Sequence, residues 1–152
     1  TDGNSHQGVI ESRSGSPVTR SGYNLYARWS GANRWSFWTG SNSAWTQRES
    51  TTDLALNRAD IVSCIISGGD GAGATATTTL RLNGAQEATG TAAFYKSTAQ
   101  ATGVGNVPTS FFLKGQIGEI IMYDRALSAT EIQHVEAYLS LKYNKTLPTA
   151  HA

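Results

Sequence analysis

The sequence predicts an all-β domain, an antiparallel jelly-roll sandwich closed by one C-terminal helix, and three observations carry that expectation. Ser and Thr make up about a fifth of the 152 residues, with 16 Gly and only 3 Pro, which is the mixture of short strands joined by tight polar turns. Apolar residues alternate with polar ones, or cluster in short runs bounded by glycines, through most of the chain. Only beyond Leu127 does the apolar spacing become helical.

Taken in order, His6–Arg13, Tyr23–Ser30 and Arg34–Thr39 are the first strand candidates. Gly31-Ala32-Asn33 reads as the hairpin turn between the last two, since Gly and Asn tolerate a positive φ. Ala44–Glu49 adds a strand after Gly40-Ser41-Asn42-Ser43. Asp60–Ser67 is rich in Ile and Val and bounded by Gly68-Gly69-Asp70-Gly71, so it is expected in mid-sheet, covered on both faces. Thr75–Leu82 runs into Asn83-Gly84, the strongest short hairpin signal, and Ala85–Thr89 returns from it. Its threonines are read as strand propensity and given no function. Gln116–Asp124, apolar at nearly every position from Ile117 to Tyr123, is expected to be the last strand.

Ser128-Ala129-Thr130-Glu131 is a capping box, so a helix over about 128–143 follows. Ile132, Val135, Leu139 and Tyr143 form one stripe, which should pack on the sandwich. Burial of those four side chains offers roughly 1.5–3 kcal/mol each, against roughly 1 kcal/mol for the cap. Residues 1–146 then form one domain and 147–152 a linker or tail.

A formal charge of +1 supplies no broad field for nucleic acid or anionic lipid, and no long apolar run predicts membrane insertion. The lone Cys64 excludes an internal disulfide and a cysteine-rich zinc site, and its apolar neighbours make it look like a small core residue.

From Phe111 to Ser128 the chain reads Phe-Phe-Leu-Lys-Gly-Gln-Ile-Gly-Glu-Ile-Ile-Met-Tyr-Asp-Arg-Ala-Leu-Ser, followed by Glu131-Ile132 and by Val135 to Tyr143. This segment resembles the close of laminin-G-like, concanavalin A-like lectin/glucanase domains of bacterial surface and secreted proteins. Leu80-Arg81-Leu82-Asn83-Gly84 and Gly103-Val104-Gly105-Asn106 are similar to the family's hairpin and Gly-rich segment. The resemblance implies a jelly roll of two antiparallel sheets, extracellular or cell-surface localisation, and a glycan or surface protein bound on the concave face or rim loops. It also implies strands ahead of Thr1, so the chain looks like a domain lacking its first portion. A strand supplied by a neighbouring chain is one explanation, because an open sheet edge accepts another strand.

Aromatic residues crowd one stretch: Tyr23, Tyr26, Trp29, Trp35, Phe37, Trp38 and Trp45. Strand alternation places Trp29, Trp35 and Phe37 in the core and Tyr26, Arg28 and Trp38 on a solvent-facing surface. That mixture of aromatic planes and polar groups is what a sugar's C–H face and hydroxyl rim require, so Tyr26, Arg28 and Trp38 are the candidate ligand-binding residues. Glycosidase chemistry is not expected. Retaining hydrolysis needs two carboxyl groups about 5–5.5 Å apart, and Glu119 has no acidic residue two positions away, while Asp124 has the opposite parity.

No cofactor is expected. Calcium stays open, since Asp70, Asp2 and Asn4 carry suitable oxygens but show no ligand-loop spacing. His6, His134 and His151 share no ligand spacing and are expected to face solvent. The favoured expectation is a non-catalytic carbohydrate-binding or adhesion module. The alternative is an assembly unit that pairs through an exposed sheet edge with copies of itself or neighbouring domains, and a glycan hydrolase comes last.

Overall fold

The computed structural model describes residues 6–16, 19–98, 100–106 and 111–148. In chain order the elements are β1 (Gln7–Ser16), β2 (Thr19–Arg28), β3 (Arg34–Gly40), β4 (Trp45–Asp53), β5 (Val62–Gly68), β6 (Ala72–Leu82), β7 (Ala85–Tyr95), β8 (Gly103–Val104) and α1 (Ala129–Lys142). They make an all-β sandwich of jelly-roll type with one helix. One sheet has five strands in the order β4-β3-β2-β1-β8, and the other has three in the order β5-β6-β7.

Turn chemistry explains the hairpins. Asn83 and Gly84 take φ of 49° and 85°, the two positive values that a type I′ turn demands between twisted strands. Between β2 and β3 the turn falls on Ser30 and Gly31, with φ of 51° and 84°, and a Trp29–Ala32 bridge closes it. It therefore begins one residue earlier than Gly31-Ala32-Asn33 implied. Asp70 shapes the β5–β6 turn, its Oδ1 accepting from the amides of Ala72 at 2.7 Å and Ala74 at 3.0 Å.

The core sits between the sheets on Leu25, Phe37 and Leu80, flanked by Val9, Ile10, Tyr23, Trp35, Val62, Ile66 and Ala88. One flank is shut where β4 meets β7. There the Glu87 carboxylate accepts from the Thr51 amide (2.8 Å), the Thr52 amide (3.0 Å) and the Thr52 hydroxyl (2.8 Å). Burial alone would raise this carboxyl, but the threonine donors outweigh it and hold Glu87 below its ordinary range.

The opposite flank is open. Because five strands face three, the inner surface of β1 extends past β5, and a cavity of about 2260 Å³ follows that overhang. Two expectations fail here. Asp60–Ser67 is not in mid-sheet: β5 is an edge strand with β6 as its neighbour. Gln116–Asp124 forms no strand ladder. Its residues line the cavity, with Ile120 and Met122 40% and 57% exposed. Cys64 follows from the same geometry. It lines the cavity rather than packing in the core, open to solvent yet ringed by protein, and burial pushes its thiol up to about 12.

The capping box forms as expected, with the Glu131 amide on Ser128 Oγ (3.3 Å) and the Ser128 amide on Glu131 Oε2 (2.8 Å). What anchors the helix, however, is a carboxylate. Glu136 is 1% exposed and takes Arg81 Nε and Nη2 at 2.9 and 3.0 Å and Ser63 Oγ at 2.9 Å. Ser63 and Arg81 face each other across the β5–β6 ladder, so α1 lies on the outer face of the three-stranded sheet. Ile132, Val135 and Leu139 are only half-buried.

Asp60 ties four regions together. Its carboxylate, 3% exposed, accepts from Trp35 Nε1 (3.1 Å), Arg58 Nε (2.9 Å) and Asn83 Nδ2 (2.9 Å), with Lys145 Nζ at 3.8 Å. Burial would raise its pKa, but the hydrogen bonds from Arg58, Asn83 and Trp35 win and hold it below the ordinary 3.8. The folded state thus binds this proton less readily than the unfolded chain. Its stabilisation is present above about pH 4 and is lost as pH falls through the folded value. Asp60→Asn is expected to lower Tm at pH 7 and to flatten the fall of Tm below pH 4. An acid limb parallel to the parent's contradicts this.

Candidate functional site

The outer face of the five-stranded sheet carries the chemistry. Leu25 and Phe37 point inward, so alternation turns Asn24, Tyr26, Ser36 and Trp38 outward. Ladder register then lays out three rows. The first contains Gly8, Tyr26, Ser36 and Glu49, and the second Glu11, Asn24, Trp38 and Gln47. In the third, Arg13 pairs with Gly22 and Gly40 with Trp45.

The third row has no side chains at its centre for a steric reason. A Cβ on Gly22 would stand 1.9 Å from Ser12 O, and one on Gly40 would stand 2.2 Å from Arg20 O. Over this bare floor Arg13 reaches out until its guanidinium carbon lies 5.6 Å from the Trp45 ring centroid, while its Nε pairs with Glu11 Oε2 at 3.0 Å. Burial raises the Glu11 carboxyl, and Arg13 offsets only part of that rise. Along the other rows Gln47 Nε2 donates to Ser36 Oγ at 2.6 Å and to Glu49 Oε1 at 3.1 Å.

An aromatic cluster closes one end. Trp29 lies 4.7 Å from Tyr26, 4.9 Å from Trp38 and 4.2 Å from His6 between ring centroids, and His6 stacks on Phe111 at 4.6 Å. Trp29 is therefore not a core residue. Strand β2 ends at Arg28, so alternation no longer governs Trp29 and its ring swings onto the outer face. His6 is likewise half-buried rather than solvent-facing, and burial lowers its pKa.

The three candidate residues separate. Tyr26 points to the expected face but is 1% exposed beneath Trp29, and burial pushes its phenol up to about 12. Trp38 is half-buried on the same face, its Nε1 without a partner among the described residues. Arg28 is held at the turn, reaching Gly31 O at 3.4 Å, and lines the cavity on the other side of the sheet. Sequence reasoning missed Arg13, Glu11, Gln47, Glu49 and Trp45. Alternation from Trp45 through Gln47 to Glu49 was the signal that could have found the last three.

Glu119 is engaged by the helix, its oxygens accepting from Tyr138 Oη (3.3 Å) and Lys142 Nζ (3.1 Å). Among the described residues no three His, Cys, Asp or Glu side chains cluster for a metal, and no helix is long and apolar enough to cross a membrane.

Comparison with known proteins gives three findings. No curated protein matches the chain. A crystal structure of an S-layer domain-containing protein (residues 221–444) from Clostridium thermocellum is similar at a TM-score of 0.40 and 20% identity, over 90% of this chain. The alignment spans 65% of that structure's own length. The family model for the concanavalin A-like lectin/glucanases superfamily matches residues 1–133. With a two-sheet antiparallel sandwich behind that match, the chain belongs to the concanavalin A-like lectin/glucanase superfamily.

Proposed function

We propose that this domain is a non-catalytic module, extracellular or at a cell surface, that binds carbohydrate on the outer face of its five-stranded sheet. The observation that carries the reading is the layout of that face, where half-buried indoles at Trp38 and Trp45 share the surface with Arg13, Gln47 and Glu49, and Arg13 and Trp45 flank a floor of Gly22 and Gly40 without side chains. An indole plane matches the C–H face of a pyranose, and the neighbouring amide, guanidinium and carboxylate match its hydroxyls. Trp38 and Trp45 supply the stacking surface, Arg13 supplies donors, and Gln47, whose two amide hydrogens are committed to Ser36 and Glu49, supplies its Oε1 as an acceptor. Tyr26 supports the Trp29 ring, which in turn packs against Trp38, whereas Arg28 stands apart. The engagement of Glu119 by Tyr138 and Lys142 supports the non-catalytic part of the reading.

On this reading Trp38→Ala folds normally and loses about tenfold in affinity on an array of bacterial polysaccharides, the scale of one lost aromatic contact. Arg28→Ala binds as the parent does. Unchanged binding by folded Trp38→Ala removes the site. Tyr26 is tested through pH: its folded value near 12 lies above the ordinary 10.0, so its stabilisation is complete below pH 10 and is lost as pH rises toward 12. Tyr26→Phe is expected to keep polysaccharide affinity and to flatten the fall of Tm above pH 10. An alkaline limb like the parent's contradicts the buried supporting role.

A further inference from the structure

We propose that the glycine-floored end of the outer face selects acidic carbohydrate, with Arg13 and Arg20 taking the carboxylate of a uronic acid residue. This selection rests on the carbohydrate reading above and names its class of sugar. Arg13 pairs with Gly22, while Arg20 pairs with Gly15 on one side and bridges to Asn42 on the other. Alternation along β2 puts Arg20 on the same face as Gly22 and Asn24. The two arginines are therefore diagonal neighbours, about 7–8 Å apart at the backbone.

Their side chains head the same way. Arg13 extends toward β4 until its guanidinium carbon is 5.6 Å from the Trp45 ring centroid, and Arg20 Nη1 donates to Ser43 O at 2.5 Å. Ser43 and Trp45 are two residues apart in the chain, no more than about 7 Å of backbone. Both guanidinium groups thus reach one corner of the face, where β4 begins. Like charges brought together in this way repel until an anion joins them.

Donors are left over at that corner. Arg13 Nε faces Glu11 and Arg20 Nη1 faces the Ser43 carbonyl, but both terminal nitrogens of Arg13, and Nε and Nη2 of Arg20, have no partner among the described residues. The Nε–Nη2 edge of Arg20 is a planar fork that fits the two oxygens of one carboxylate. The charge agrees with the geometry. Glu11 offsets one of the two arginines, and Glu49, two rows away, is engaged by Arg34 at 4.0 Å and by Gln47 at 3.1 Å. One net positive charge remains beside an indole plane, which matches a singly charged carboxylate carried on a pyranose ring. A phosphate monoester carries closer to two charges, and a neutral sugar leaves the fork unmatched.

The test measures binding of the full chain to oligomers of alginate, polygalacturonate and hyaluronan, each beside its own carboxyl-reduced, neutral form. At low salt the parent is expected to bind at least one acidic oligomer about tenfold or more tightly than its reduced form, the scale of a charge-assisted hydrogen bond. That preference should shrink as NaCl rises toward about 1 M. Arg20→Gln is expected to bring the preference to within about threefold of parity, and Arg20→Lys, which keeps the charge without the fork, to leave it intermediate. Arg13 is left in place, since its removal would strand Glu11. Trp38→Ala should weaken both members of a pair alike, so that loss of stacking and loss of selection are read separately. Equal affinity for each acid and its reduced form overturns the proposal while sparing the carbohydrate reading, and so does a preference that folded Arg20→Gln retains. Failure to bind any of the acidic oligomers, or equally tight binding of a sulfated galactan, also overturns it.

Discussion

The bidentate pair between Glu136 and Arg81 fixes the position of the helix, and much of the molecule's asymmetry follows from it. A carboxylate at 1% exposure loses several kcal/mol of hydration. It recovers that loss only because Arg81 meets both oxygens and Ser63 donates a third hydrogen bond. Such a group tolerates one orientation. With Glu136 facing the β5–β6 ladder, Ile132, Leu139 and Val135 lie about 40°, 60° and 100° to one side of it around the helix, at roughly 100° per residue. The apolar stripe is thereby turned toward the flank of β5 rather than onto the sheet, which is why it is half-buried and why it lines the cavity.

Two unlike surfaces result. The helix occupies the outer face of the three-stranded sheet, leaving the outer face of the five-stranded sheet to its own side chains. There the rows of Glu11, Asn24, Trp38, Gln47 and their neighbours are organised by backbone register alone. The sandwich is closed at β4 and β7 by a carboxylate holding two threonines and left open at β5, where a sheet of three strands cannot cover a sheet of five. One surface is polar with aromatic planes and suits hydroxylated ligands. The other is apolar, and among the described strands its edge strand β5 pairs with β6 alone.

What the sequence revealed was mostly local. Asn83-Gly84, the Ser128–Glu131 box and the Gly68–Gly71 turn are written in adjacent residues, and each forms. The resemblance read from Phe111 to Tyr143 pointed to the family whose model matches residues 1–133. Errors arose where the partner is distant. Glu136 looks like a solvated helix residue until Arg81, fifty-five positions away, is beside it. Trp29 was misplaced because alternation was carried one residue past the end of β2. For Asp60–Ser67 and Gln116–Asp124 the apolar runs stated a demand for neighbours on both faces. Composition cannot say which strand meets that demand, and here none of the described strands does.

The central claim is that a charge pair, more than apolar burial, sets the helix on the sheet. A double-mutant cycle with Arg81→Leu and Glu136→Leu, followed by urea unfolding, measures that coupling directly. The expected coupling is at least about 2 kcal/mol, with the double variant less destabilised than the sum of its parts. Single effects that add to within about 0.5 kcal/mol would contradict the account.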